Sequence, residues 1–218
     1  AQNNARYTGT ISTNFQIVNK LISATDVSLD KTTFNYTGDA IEPVVGVTCD
    51  DKVLLEGTDY TVEYSNNINV TTDKVKAVAK VTGIGSYSGT VEKTYDITQV
   101  WISGATIIDI PNQNYTGSPI VPEVILSYKS KKLVLGKDYT LNYEKNTDVT
   151  SSGNEAKVTI TAVEGGNFKG ETETSFNIVK SNIEDAFNIP EIPDQKYTGS
   201  EIQPDHVITE QTTGQTLV

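Results

Sequence analysis

Few of the 218 residues carry side chains that could do chemistry, and those few are scattered. His206, the single histidine, sits beside Val207 and Ile208 on what reads as an early strand, so no histidine triad, histidine pair or histidine-based metal centre can be assembled. Cys49, the single cysteine, follows Val45 and Val47 on one alternating face and reads as a small buried hydrophobe. A reactive thiol would need basic neighbours that this stretch does not offer. One cysteine also excludes an intrachain disulfide framework and a cysteine-based zinc site. Carboxylates are plentiful, yet Asp59 and Asp138 each stand in a turn just before a strand, where a side chain accepts local backbone N–H groups rather than working as a general acid or base. Asp26 with Asp30, Asp109, and Glu184 with Asp185 could offer oxygen ligands to calcium, but no Asp-x-Asp-Gly loop accompanies them. Lys80 and Asn177 are the side chains from which a lysine–asparagine isopeptide bond would be made, and neither has a counterpart elsewhere in the chain. Asn35-Tyr36-Thr37 and Asn114-Tyr115-Thr116 match glycosylation sequons. Trp101 could stack on a sugar face; its position predicts instead that it packs at a joint between two domains. The expected inventory is therefore no catalytic residue, no cofactor-binding residue and no metal ligand.

The elements that would position these residues follow from composition. With 17 Lys and Arg against 28 Asp and Glu, the net charge is −11, and a nucleic acid would meet repulsion rather than counterion release. The basic block from Lys129 to Lys132 interrupts the acidity locally and reads as a solvated hairpin. Hydrophobic residues are 36 % of the chain, below a typical globular domain, and Thr, Asn, Ser and Gly fill the difference. Those are residues of exposed strand faces and turns. Eleven tyrosines and regular Val/Ile/Leu alternation can still supply cores, which argues against disorder. No apolar run approaches the ~18 residues of a membrane-spanning helix, so no membrane insertion is expected within this chain.

Self-similarity is the strongest signal. Tyr36-Thr37-Gly38 recurs as Tyr115-Thr116-Gly117 and Tyr197-Thr198-Gly199, each followed at fixed offsets by Ile and Pro: Ile41 and Pro43, Ile120 and Pro122, Ile202 and Pro204. Gly57-Thr58-Asp59-Tyr60-Thr61-Val62-Glu63-Tyr64 matches Gly136-Lys137-Asp138-Tyr139-Thr140-Leu141-Asn142-Tyr143. Tyr87-Ser88-Gly89 leading to Tyr95-Asp96-Ile97 matches Phe168-Lys169-Gly170 leading to Phe176-Asn177-Ile178, with an earlier copy in Tyr7-Thr8-Gly9 leading to Phe15-Gln16-Ile17. Residues 23–102 and 103–183 thus read as complete repeats, 1–22 as the tail of a preceding one and 184–218 as the head of a following one.

Within a repeat the periodicity is two. Val75, Ala77, Ala79 and Val81 alternate with Lys74, Lys76, Val78 and Lys80; Tyr60, Val62 and Tyr64 share one face of their strand. Tyr60, Tyr64 and Tyr95 are expected to bury their rings and tie their hydroxyls to backbone, with Tyr64 and Tyr143 as core residues. Turn residues separate the runs, as at Gly83-Ile84-Gly85 and Gly165-Gly166-Asn167, and no stretch offers an amphipathic helix. The expected fold class is all-β: tandem immunoglobulin-like β-sandwiches with about seven strands per repeat. Long final strands, Thr90 to Val100 and Glu171 to Lys180, are expected to run almost directly into the next repeat, stiffening the array.

Taken in order, the blocks Tyr-Thr-Gly, Ile-x-Pro, Gly-x-Asp-Tyr-Thr-x-x-Tyr and Tyr-x-Gly leading to Tyr/Phe-x-Ile resemble the tandem immunoglobulin-like repeats of large bacterial surface and secreted proteins. The resemblance covers essentially the whole chain; related modules also decorate phage tails and capsids. It implies a non-catalytic stalk or spacer in a cell-surface or secreted adhesin-type protein, extracellular, with neighbouring repeats of the same chain as partners and envelope or host glycans or proteins as further ones. The alternatives are an array on a phage virion contacting host surface glycans, and an accessory glycan-binding module of a secreted enzyme.

Overall fold

A computed structural model describes residues 9–188, 190–204, 207–210, 214 and 216, without the side chains of residues 185 and 186. His206 and the Tyr7-Thr8 pair lie outside the described residues, as does the side chain of Asp185. The chain divides into two compact units, residues 1–98 and 99–218. The division falls between Thr98 and Gln99, not after Ile102: Val100 and Trp101 pair with the second unit's Phe168 and Lys169, and Ile102 is wholly buried.

The chain is all-β, in several sheets. The first unit holds β1 (Lys20–Leu21), β2 (Val27–Leu29), β3 (Thr33–Asn35), β4 (Val45–Cys49), β5 (Lys52–Val53), β6 (Tyr60–Ser65), β7 (Ala77–Gly83), β8 (Tyr87–Ser88) and β9 (Thr90–Thr98). These segments are shorter and more numerous than seven regular strands. β2, β4 and β5 form one sheet; β3, β9, β7 and β6 form a second, in that order, with β3 parallel to β9 and the other pairs antiparallel. Alternation puts Val45, Val47 and Cys49 of the first sheet and Ala77, Ala79 and Val81 of the second into a single core with Tyr60, Val91, Tyr95 and Ile97. Two sheets sharing one apolar layer is an arrangement consistent with a β-sandwich.

The second unit holds β10 (Val100–Trp101), β11 (Thr106–Ile107), β12 (Gln113–Asn114), β13 (Leu126–Tyr128), β14 (Lys131–Lys132), β15 (Tyr139–Glu144), β16 (Ala156–Ala162), β17 (Phe168–Lys169), β18 (Glu171–Phe176) and β19 (Ile178–Val179). Here β11, β13 and β14 make one sheet, β15, β16 and β18 another, and β12 runs parallel to β19. Val124, Leu126, Leu133, Tyr139, Ala156, Val158, Ile160, Phe176 and Ile178 are buried. Beyond β19 come a four-residue helix, α1 (Ile183–Ala186), capped by the Asn182 side chain on the Glu184 N–H, and the short pair β20 (Phe187–Asn188) and β21 (Thr209–Glu210).

Three strand expectations need correction. The long final strand does not continue to Val100: β9 ends at Thr98, and Gln99 turns the chain by donating its Nε2 to the carbonyls of Gly166 (2.9 Å) and Phe168 (3.1 Å). The other final strand, expected from Glu171 to Lys180, is broken after Phe176: β18 ends there and β19 spans only Ile178–Val179. Val75 lies outside β7 and is exposed, because the Asp73–Val75 turn closes on itself through Thr72, whose N–H donates to the Val75 carbonyl and whose hydroxyl accepts from the Val75 N–H.

The turns explain the sequence punctuation. In Tyr-Thr-Gly the threonine hydroxyl spans the turn, Thr37 donating to the Asp39 carbonyl and Thr116 to that of Ser118, and the same bond joins Thr198 to Ser200. The glycine is needed because φ there is +84° at Gly38, +75° at Gly117 and +78° at Gly199, a region that a side chain disfavours.

Candidate functional site

The most developed constellation in each unit lies between an edge strand and the extended segment that precedes β4 or β13. That segment contains Pro43 or Pro122, which has no N–H to give a sheet, so its inward carbonyls must find donors elsewhere. Tyrosines supply them. Tyr95 donates to the Ile41 carbonyl (2.6 Å), Tyr64 to that of Pro43 (2.7 Å) and Tyr60 to that of Val45 (3.2 Å). Carbonyls two residues apart point the same way in extended chain, so one row of rings serves all three. In the second unit Tyr143 donates to Pro122 (2.6 Å) and Tyr139 to Val124 (2.9 Å). Phe176 stands where Tyr95 would and has no hydroxyl; there Asn146 Nδ2 takes the Ile120 carbonyl at 2.9 Å, whereas its counterpart Asn67 stands 3.4 Å from Ile41.

Burial pushes the Tyr95 phenol up to about 12, and raises those of Tyr60, Tyr64, Tyr139 and Tyr143 as well. All five therefore remain protonated donors at neutral pH. Tyr60 and Tyr95 are buried as expected and Tyr139 is buried too, but Tyr64 and Tyr143, expected in the core, are half-buried, because the edge strand leaves one side of each ring open.

That open side forms a groove of about 850 Å³ in the second unit, lined among others by Val121, Leu133, Val134, Leu135, Leu141 and Tyr143. Val121 and Leu135 are more than half exposed. Beside it β15 is the edge of its sheet. Gly136 N–H donates to the Tyr139 carbonyl at 2.8 Å, which sets that carbonyl on the side away from β16. By alternation Leu141 and Tyr143 turn their backbone N–H and C=O the same way, and no backbone bond among the described residues takes them up.

The individual candidates resolve into local roles. Asp59 accepts from the Leu55 N–H (3.0 Å) and Asp138 from the Val134 N–H (2.8 Å), each closing the turn ahead of its strand. Cys49 is buried, and burial pushes its thiol up, away from a thiolate. Asp26 accepts from both the N–H and the hydroxyl of Ser23, which hold its carboxyl below the usual range, and Asp30 accepts from the Val44 N–H. Among the described residues no three His, Cys, Asp or Glu side chains converge on a point that could hold a metal, and no helix is long and apolar enough to cross a membrane.

Lys80 meets Glu63 across the sheet at 3.4 Å, while Asn177 accepts from Thr150, so the two side chains considered for an isopeptide bond lie in different units with separate partners. Trp101 lays its ring across Gly170 of its own unit and carries the Lys169 ammonium 5.1 Å from the ring centre. The Lys129–Lys132 block is a hairpin, with Lys129 and Ser130 at the tip between β13 and β14. Asn35 accepts from the Thr98 hydroxyl, and the hydroxyls of Thr37 and Thr116 are engaged in their turns.

Two framework residues escape a reading for chemistry. Thr71 exchanges backbone N–H and hydroxyl bonds with Ile97, and Thr150 does the same with Ile178. Their shared register, 79 residues apart, was the available signal. Gln99 has no counterpart by identity and no sequence signal. No family model, curated protein or solved structure matches the chain.

Proposed function

We propose that this chain is a non-catalytic structural spacer, made of tandem immunoglobulin-like modules, in a cell-surface or secreted protein. The observation that supports this reading is how the recurring side chains are used. Tyr60 and Tyr139, Tyr64 and Tyr143, Asp59 and Asp138, Thr71 and Thr150, and Asn67 and Asn146 each bind backbone within their own unit. A residue that recurs to hold carbonyls and N–H groups is framework, and a chain with this many recurring framework residues is suited to multiplying a module rather than to turning over a substrate. The acidic surface keeps such an array soluble and apart from like-charged neighbours.

The reading is tested by scattering from chains carrying one, two, three and four successive modules. A spacer adds a constant increment to the maximum dimension with each module, unchanged by EDTA. A dimension that saturates with module number would sink the spacer, and one that shortens on chelation would put metal ions at the joints.

A further inference from the structure

We infer that the second unit's open face binds the first unit's corresponding face on another copy of this chain, giving head-to-tail association driven by opposite charge. The proposal goes beyond the spacer reading and can fail without it. Residues 42–63 and 121–142 are the same stretch displaced by 79 positions. In the first, Glu42, Asp50, Asp51, Glu56, Asp59 and Glu63 stand against Lys52 alone, a net of −5. In the second, Lys129, Lys131, Lys132 and Lys137 stand against Glu123 and Asp138, a net of +2. Lys20 offsets part of the first face by pairing with Asp50 at 2.7 Å, and Lys80 offsets more through Glu63; Lys132 lies 3.5 Å from Glu123 within the second. The signs remain opposite after those pairs are removed and Lys131, which is engaged as well, is left out of the count.

The same two stretches carry exposed apolar side chains, and Glu123 and Lys132 line the second unit's groove with them. Val44, Val53 and Leu55 are more than 60 % exposed on the first face, and Val121, Val134 and Leu135 more than half exposed on the second. Both faces also end in an edge strand, β6 and β15, with outward backbone groups at Val62 and Tyr64 and at Leu141 and Tyr143. An exposed edge in an acidic protein would normally be protected by repulsion between copies. Here the basic rim removes that repulsion for one pairing only, the second unit on the first, while first-on-first and second-on-second remain like against like. A contact between two different faces of the same chain is heterologous, so it can extend from copy to copy or close into a ring.

Sedimentation velocity on the full chain tests this, over roughly micromolar to millimolar concentration. The wild type is expected to show a sedimentation coefficient that rises with concentration at low salt, with the association weakened on the order of tenfold by salt that shortens the screening length to a few ångström. The triple variant Glu42→Lys/Asp50→Lys/Glu56→Lys makes both faces basic, and Lys129→Asp/Lys132→Glu/Lys137→Glu makes both acidic; all six side chains are exposed. Each variant alone should remain monomeric, and mixing the two should restore association. Thermal melts like that of the wild type qualify the variants; if a triple exchange unfolds, Glu56→Lys and Lys137→Glu singly replace it, with a partial loss expected. A wild type that stays monomeric at low salt overturns the proposal. So do triple variants that still self-associate, or a mixture that stays monomeric, since either places the contact elsewhere.

Discussion

At the residue scale the tyrosine hydroxyls are what bind the extended proline segment to the body of each unit. An ordinary phenol titrates near 10, and burial moves Tyr95 to about 12. A raised folded-state value means that the native state holds its proton more tightly than the unfolded chain does. Its contribution is therefore fully present below about pH 10 and is lost as the pH rises towards 12, a change of roughly 2–3 kcal/mol for two pH units of separation. Tyr95→Phe should remove most of that alkaline loss from the first unit. At neutral pH it should cost no more than about 1 kcal/mol, because the second unit already carries Phe176 at this position and Asn67 can close on Ile41 as Asn146 does on Ile120. Denaturant melts of both proteins at pH 7 and pH 11 check this; equal alkaline losses would show that Tyr95 is not the titrating group.

At the scale of elements, the hairpin between β4 and β5 differs from that between β13 and β14 in one instructive way. Both turn through two left-handed residues: Asp50 and Asp51 at φ 48° and 60°, Lys129 and Ser130 at 47° and 66°. A two-residue hairpin of this hand favours Asn, Asp and Gly, and an aspartate tolerates the conformation through its short polar side chain. Lysine has no such relief. Replacing Lys129-Ser130 by Asn-Gly should therefore stabilise the second unit by about 1 kcal/mol or more, the cost of left-handed backbone for ordinary residues. The same replacement at Asp50-Asp51 should gain less. Chemical denaturation followed unit by unit decides, and an equal gain at both hairpins would refute the explanation.

At the scale of the whole molecule, the two units have separate cores, and a lesion in one core should leave the other folded. Tyr95→Ala deletes a buried ring and should cost about 3–5 kcal/mol in the first unit. Trp101, the sole tryptophan, belongs to the second unit and reports on it alone. The variant should lose part of its strand signal in circular dichroism at a lower temperature while Trp101 fluorescence melts as in the wild type. Simultaneous loss of both signals would mean that the units fold as one.

The all-β character was legible in the sequence because period-two alternation at Val45–Cys49 and Ala77–Val81 leaves no helical reading, and because Tyr-Thr-Gly and the glycine pairs demand turns. The use of Tyr60, Tyr64 and Tyr95 as backbone donors was legible too, since a buried phenol must place its proton on some acceptor. What the sequence could not say is which carbonyls those were, because Ile41 and Tyr95 lie 54 positions apart and meet only when the two sheets close on each other. It also could not show that Tyr64 and Tyr143 would be left half open: both alternate in phase with buried neighbours, and exposure depends on whether another strand lies beyond the edge, a property of sheet order and not of period. The partner of Trp101 within its own unit was hidden for the same reason: it is Gly170, where a missing side chain leaves room for the ring. Local chemistry fixes what each residue needs; only the tertiary structure decides which distant group supplies it.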